Sequence, residues 1–151
     1  MNADTKGDVH PSFVELIKEM TPADAKILKI VLDASRTAFI VRLGSPNQFF
    51  TMATHYSFTV EGLTIQDIGK SLNNLERLGL LERRDEFPLS TVNDETENTL
   101  KNQYELQRAA MDIPQIKNNL KIPENGHVQV SIKRNGLYMN PLGESFARIC
   151  L

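Results

Sequence analysis

The amino-acid sequence predicts an α+β fold. Several segments open with N-cap signatures and then repeat apolar residues at three- and four-residue steps, the mark of amphipathic helices. Between them lie β-branched and aromatic stretches, residues 37–60 and 127–139, that read as strands. The chain has 151 residues, 40% of them hydrophobic and 24% charged. That length and balance suit one soluble domain with a sizeable core.

Residues 1–9, MNADTKGDV, are polar and expected to be a flexible N-terminal segment; the folded domain is expected over 10–151. A first helix is predicted over HPSFVELIKEM. Either Pro11 sits at its first position, or Ser12 caps it with Glu15 reaching back. Phe13, Leu16, Ile17 and Met20 form its apolar stripe. A second helix opens at TPAD: Thr21 caps, Pro22 takes the first position, and Asp24 answers the cap and favours the positive end of the helix dipole. Ile27, Leu28, Val31 and Leu32 are its buried face.

The period then changes. TAFIVRL and QFFTMATHYSFTV flank a GSPN turn, so residues 37–60 are expected to form a β-hairpin closed by Gly62. LTIQDIGKSLNNLERLGLLERR returns to helical spacing. Thr64 and Asp67 make a second capping box, Ile65, Ile68, Leu72, Leu75 and Leu78 face inward, and Gly79 ends the helix. Its exposed face keeps Gln66, Lys70, Ser71, Asn73, Asn74 and Arg77. Residues 85–126 are too long for a plain loop and are expected to be an insertion with structure of its own. Its beginning is acidic and loop-like, ENTLKNQYELQRAAM is a candidate helix, and PQIKNNLKIPENG is irregular. Val128, Val130 and Ile132 then alternate on one strand face, and Asn135-Gly136 is a strong signal for a type I′ hairpin turn. Asn140 caps a last helix with Pro141 at its first position and Leu142, Phe146 and Ile149 inward. Leu72, Leu75, Leu78, Leu80, Ile132, Leu142 and Phe146 are expected to share one core.

This order of elements resembles winged helix-turn-helix domains. The motifs that carry the likeness are L-x-x-L-x-x-L-G-L-L-x-R from Leu72 to Arg83 and Y-x-x-P-L-G from Tyr138 to Gly143. The expected architecture is a winged-helix-like core with two insertions, the hairpin at about 37–60 and a long one within the wing at about 85–126. Three blocks, VHPSFVELIKEMTPADAKILK, LTIQDIGKSLNNLERLGLL and YMNPLGESFARICL, resemble the C-terminal part of the abortive-infection-alpha (Abi-alpha) family of bacteria. The resemblance implies a role linked to defence against phage. Members carry a further N-terminal helical region, so the chain is expected to represent the part that follows it. The resemblance brings no catalytic residues with it.

The residues themselves point to contacts rather than chemistry. His10, His55 and His127 are far apart and lack metal-ligand spacing. No nucleotide-binding glycine pattern or nucleophile motif occurs. The acidic run Asp94, Glu95 and Glu97 reads as a solvated face, and Met20, Met52, Met111 and Met139 as core. Cys150 is the single cysteine and reads as a small buried hydrophobe in a reducing, cytoplasmic setting. No apolar run is long enough to span a membrane. The expectation is therefore no enzyme, no metal and no cofactor. Candidate contacts to a macromolecule are Lys70, Ser71, Asn73, Asn74 and Arg77 on the third helix, with Arg83, Arg84, Lys133 and Arg134 on the wing. Asn and Arg can read adenine and guanine, and wing cations can hold phosphates. Asp67, Glu76 and Glu82 share that surface, and the chain's net charge is −2, against the basic balance of nucleic-acid binders. A protein partner or self-association is thus expected ahead of DNA, with a DNA-binding winged-helix regulator as the alternative. The aromatic hairpin residues Phe49, Phe50, Tyr56 and Phe58 belong either to the core or to an exposed partner surface.

Overall fold

The computed structural model describes residues 12–85 and 91–151. The expected flexible segment 1–9, His10, Pro11 and Glu86 lie outside them. Among the described residues there are seven helices and four strands, in the order α1 (Ser12–Glu19), α2 (Pro22–Asp33), β1 (Arg36–Ser45), β2 (Gln48–Tyr56), α3 (Ile65–Arg77), β3 (Leu81–Asp85), α4 (Thr91–Gln103), α5 (Glu105–Met111), α6 (Pro114–Asn119), β4 (Gln129–Met139) and α7 (Pro141–Cys150). The fold is α+β, and its strand order is β2-β1-β4-β3. The chain divides into two compact units. Among the described residues, 12–36, 58–85 and 136–151 form the first; 37–57 and 91–135 form the second.

In the first unit the local signals decide the helix ends. Thr21 Oγ1 accepts from the Asp24 N–H at 3.1 Å while the Thr21 N–H donates to Asp24 Oδ2 at 3.0 Å. Thr64 and Asp67 repeat the pattern at 3.1 and 2.9 Å. Each box satisfies two backbone donors that a helix start leaves open. Gly79, at φ 76°, ends α3: its N–H reaches Glu76 O and the Leu80 N–H reaches Leu75 O, each at 3.0 Å. That pair of bonds is the Schellman arrangement.

The same turn anchors α7. Asn140 caps α7 by accepting from the Gly143 N–H at 2.7 Å. Its backbone N–H donates to Leu80 O at 3.4 Å and its amide donates to Gly79 O. Gly143 lies directly on Leu80; a Cβ there would sit 1.9 Å from Leu80 O. The Y-x-x-P-L-G motif is therefore a joint between the end of α3 and the start of α7. Phe13 and Phe146 meet edge-to-face at 5.3 Å, and Ile27, Leu28, Val31, Ile68, Leu72, Leu75, Leu80 and Leu137 are buried with them in this unit. Leu78 is half-buried. Three residues expected inward are exposed instead: Ile17, Ile65 and Leu142. All three lie on helices whose neighbouring stripe positions already fill the core, so periodicity alone overcounts the buried set.

In the second unit β1 and β2 form the expected antiparallel hairpin, with Ser45 opposite Gln48, but β2 ends at Tyr56, short of the expected residue 60. A bulge falls between Val41 and Arg42, which face Ala53 and Thr51 and leave Met52 unpaired. Met52, expected in the core, is 45% exposed for that reason. Successive β1 side chains go to opposite faces. Thr37, Phe39, Val41, Leu43 and Ser45 are all buried, so that face is the core side. Helices α4 to α6 belong to it: Asn93 Nδ2 donates to Thr37 Oγ1 at 2.9 Å and Ser45 Oγ donates to Leu120 O at 3.5 Å. Leu120, Ile122 and Val128 make a small cluster with Met111 and Ile116. Residues 91–98, read as loop, open α4, and Pro114–Asn119, read as irregular, form α6. The candidate helix over residues 97–111 is interrupted at Tyr104.

The wing differs from expectation. Asn135-Gly136 makes no turn; both residues lie inside β4, one strand from Gln129 to Met139. Strand neighbours on both sides of β4 reward an extended backbone more than a two-residue turn would. Gly136 serves a different need, because a Cβ on it would meet the Tyr138 ring at 2.3 Å. Ile132 does not turn back to face Met139; the two belong to different units.

Candidate functional site

The third helix and the strand after it carry most of the candidate contact residues. In the structure most of their polar side chains are already engaged with one another. Asn74 Nδ2 donates to Asp24 Oδ2 at 2.7 Å and to Glu19 O at 3.2 Å, while Asn74 Oδ1 accepts from Arg77 Nη2 at 2.7 Å. Arg77 also pairs with Glu19 at 3.1 Å. Arg83 pairs with Glu76 and donates to Asn73 Oδ1 at 2.9 Å. Arg84 lies over the Tyr138 ring, 3.9 Å from its centre, and near Glu82. Ser71, expected on the exposed face, is buried at 6% exposure, because its position follows the inward stripe at Ile68, Leu72 and Leu75. Lys70 stays exposed.

This surface thus joins α2 to α3 and α3 to β3. Its arginines are neutralised by carboxylates at short range, which leaves little cationic charge for phosphates. Asp67 at the start of α3 is held below the usual carboxylate range, first by the Thr64 backbone N–H and then by its hydroxyl.

Lys133 and Arg134 fall in the second unit. Adjacent strand residues point oppositely. Arg134 goes to the helix side, where Nη2 meets Asp94 Oδ1 at 2.5 Å and Nε meets Glu97 Oε1 at 3.4 Å. Of the acidic run read as a solvated face, Asp94 and Glu95 are exposed as expected, but Asp94 and the half-buried Glu97 also serve as counter-charges of Arg134. Lys133 goes to the other face and is exposed.

The second unit also contains an open cleft of about 600 Å³, lined by Lys101, Glu105, Arg108, Asp112, His127 and Gln129 among others. Asp112, at the end of α5, is its centre. Oδ2 accepts from His127 Nδ1 at 2.7 Å and from Arg108 Nη1 at 3.5 Å, and Oδ1 accepts from the Val128 N–H at 3.1 Å. The His127 contact, then the Val128 N–H, holds the Asp112 carboxyl below its ordinary range. Glu105 clamps Arg108, with Nε at 2.7 Å and Nη2 at 2.6 Å. A His127 that donates through Nδ1 keeps its lone pair on Nε2, the tautomer that accepts a proton or a metal. No Ser, Thr or Cys lines the cleft. Among the described residues no group of three His, Cys, Asp or Glu is placed to hold a metal ion. The arrangement fastens the end of α5 to the approach to β4. Fifteen residues separate Asp112 from His127, with no motif between them, so the pair leaves no local signal in the sequence.

His55 is elsewhere in the same unit. Its Nε2 lies 2.8 Å from Tyr104 Oη, and burial lowers its pKa. Cys150 is half-buried and free, with its thiol pushed up by burial. It lines an apolar groove of about 250 Å³ in the first unit with Ile17, Met20, Pro22, Phe146 and Leu151. No described helix is long and apolar enough to cross a membrane.

The family model described as abortive infection alpha matches residues 1–150. No curated protein matches the sequence. A solved structure, an uncharacterised protein from the marine bacterium Alcanivorax borkumensis SK2, is similar at 18% identity and a TM-score of 0.49, covering 99% of this chain and 97% of that one.

Proposed function

The chain belongs to the abortive infection alpha family, and from that premise we propose that it is a non-catalytic interaction module of a phage-defence response, acting on a protein partner. What carries the protein-contact reading is the apolar groove of the first unit. Of its lining residues Ile17 is 53% exposed and Leu151 40% exposed. Exposed apolar side chains gathered around a concavity are the usual form of a protein contact. The alternative is a duplex-DNA-binding regulator. The exposed Lys70 favours it; the pairing of Arg77, Arg83 and Arg84 with Glu19, Glu76 and Glu82 opposes it.

A plaque assay separates the two. The full gene is expected to lower the plating of at least one phage in a panel. Ile17→Asp, on an exposed position that does not hold the core, is expected to abolish the protection, and Lys70→Glu to leave it intact. Protection lost with Lys70→Glu and kept with Ile17→Asp, together with salt-sensitive duplex binding by the purified chain, favours the regulator. A gene that restricts no phage removes the defence reading itself.

A further inference from the structure

The sheet of the second unit has a second face. Strands β1, β2 and β4 contain no aspartate or glutamate at any position. Their cations are Arg36, Arg42, Lys133 and Arg134, and Arg134 is spent on α4 at the helix side. Arg42 is on the other face, since it alternates with the buried Val41 and Leu43. Its guanidinium spans three strands there. Nη2 donates to Ser131 Oγ of β4 at 3.0 Å, and the group lies 5.0 Å from the centre of the Phe49 ring on β2. Its Nε is buried with no hydrogen-bond partner. Among the described residues no carboxylate pairs with Arg42 or with Lys133. Lys133 is two residues beyond Ser131 and therefore on the same face, about 7 Å further along the strand. Thr51, directly opposite Arg42, adds an exposed hydroxyl.

We propose that this face binds single-stranded nucleic acid. Two cations lacking counter-ions, a strand's pleat apart, can meet successive phosphates of an extended strand. One isolated phosphate would use one of them. The half-buried Phe49 ring with the Arg42 guanidinium beside it offers a π and cationic surface to an unstacked base, and Ser131 and Thr51 offer hydroxyl donors. A duplex keeps its bases stacked inside and cannot use the ring. The strands of the second unit supply no carboxylate to this face, so the chain's overall charge of −2 does not describe it. The inference stands on the second unit and is independent of the groove in the first.

The test is a fluorescence-anisotropy titration of the whole chain against a labelled oligothymidylate, the matching duplex, a nucleoside triphosphate and a polyglutamate peptide. The single strand is expected to bind with a Kd on the order of 10–100 µM at about 50 mM salt. Two phosphate contacts set a log–log salt slope of about −1.4, so affinity falls about sevenfold up to about 200 mM. Lys133→Ala, at an exposed position that leaves folding intact, halves that slope to about −0.7. Phe49→Leu keeps apolar bulk but loses the ring, and weakens binding about fivefold or more. Lys70→Ala on α3 changes neither. No single-strand binding, binding of the duplex or polyglutamate as tight as the single strand, a triphosphate that binds equally well, or a slope that responds to Lys70→Ala and not to Lys133→Ala would each overturn the proposal.

Discussion

Replacing Gly143 with alanine tests the joint between α3 and α7. The added Cβ would sit 1.9 Å from Leu80 O and 2.8 Å from Leu80 C. These are backbone atoms, which cannot swing aside as a side chain can. The start of α7 must retreat by at least about 1 Å from the Gly79–Leu80 turn to reach tolerable contact. That retreat acts on the bonds from Asn140 to Leu80 O and Gly79 O. Overpacking of this kind costs about 1–3 kcal/mol, and loss of one capping hydrogen bond adds about 1 kcal/mol. Alanine's better helix propensity returns up to about 1 kcal/mol. The net is a destabilisation of about 2 kcal/mol, or a Tm lowered by about 4–8 °C for a chain of this size. Urea unfolding followed by circular dichroism measures it, with Ser145→Ala, an exposed site on the same helix, as the reference. If Gly143→Ala unfolds within about 0.5 kcal/mol of the wild type, the glycine is not there for close approach and the reading of the P-L-G motif fails.

Other perturbations have defined outcomes. Thr64→Ala removes the acceptor for the Asp67 N–H and should cost about 1 kcal/mol in the same unfolding assay; an unchanged midpoint would show that the cap is idle. Asn74→Ala breaks the link from α3 to Asp24 and Glu19 O, with Asp24 buried, and should cost about 1–3 kcal/mol; Asn73→Ala, on the exposed side, should cost less. Asp112 gives a pH signature. Its folded pKa lies below the unfolded value of about 3.9, so its contribution is present above that value and is lost as pH falls through the folded pKa. Asp112→Asn should therefore flatten the loss of stability on acidification below about pH 5; a variant that tracks the wild type throughout contradicts the assigned role.

The first unit was largely legible because short-range chemistry decides it. Thr21, Pro22 and Asp24, then Thr64, Asp67 and Gly79, then Asn140 and Pro141 act within one helical turn, and the structure places each where its spacing predicts. The hairpin was legible for the same reason. Asn135-Gly136 carries an equally local signal, yet the neighbours of β4 and the Tyr138 ring decide its backbone, and neither is visible in a two-residue window. The contact surface was less legible still. The sequence marks Asn74, Arg77 and Arg83 as polar and exposed, but it does not reveal that Asp24, Glu19 and Glu76 occupy them. Lys133 and Arg134 read as a basic pair until strand alternation sends them to opposite faces. The Asp112–His127 bond joins segments with no shared pattern, so only the folded chain brings it out.

If the chain protects by contact and not by chemistry, as proposed, His127 is the residue at which that proposal is tested most sharply. Among the described residues, His127 with Asp112 is the arrangement that most resembles a catalytic pair. The decisive measurement is the efficiency of plating of a restricted phage on cells carrying the wild-type gene or His127→Ala, with the variant's fold checked by circular dichroism. The account predicts equal protection from both. Protection abolished in a folded His127→Ala protein would contradict it and make the cleft an active site.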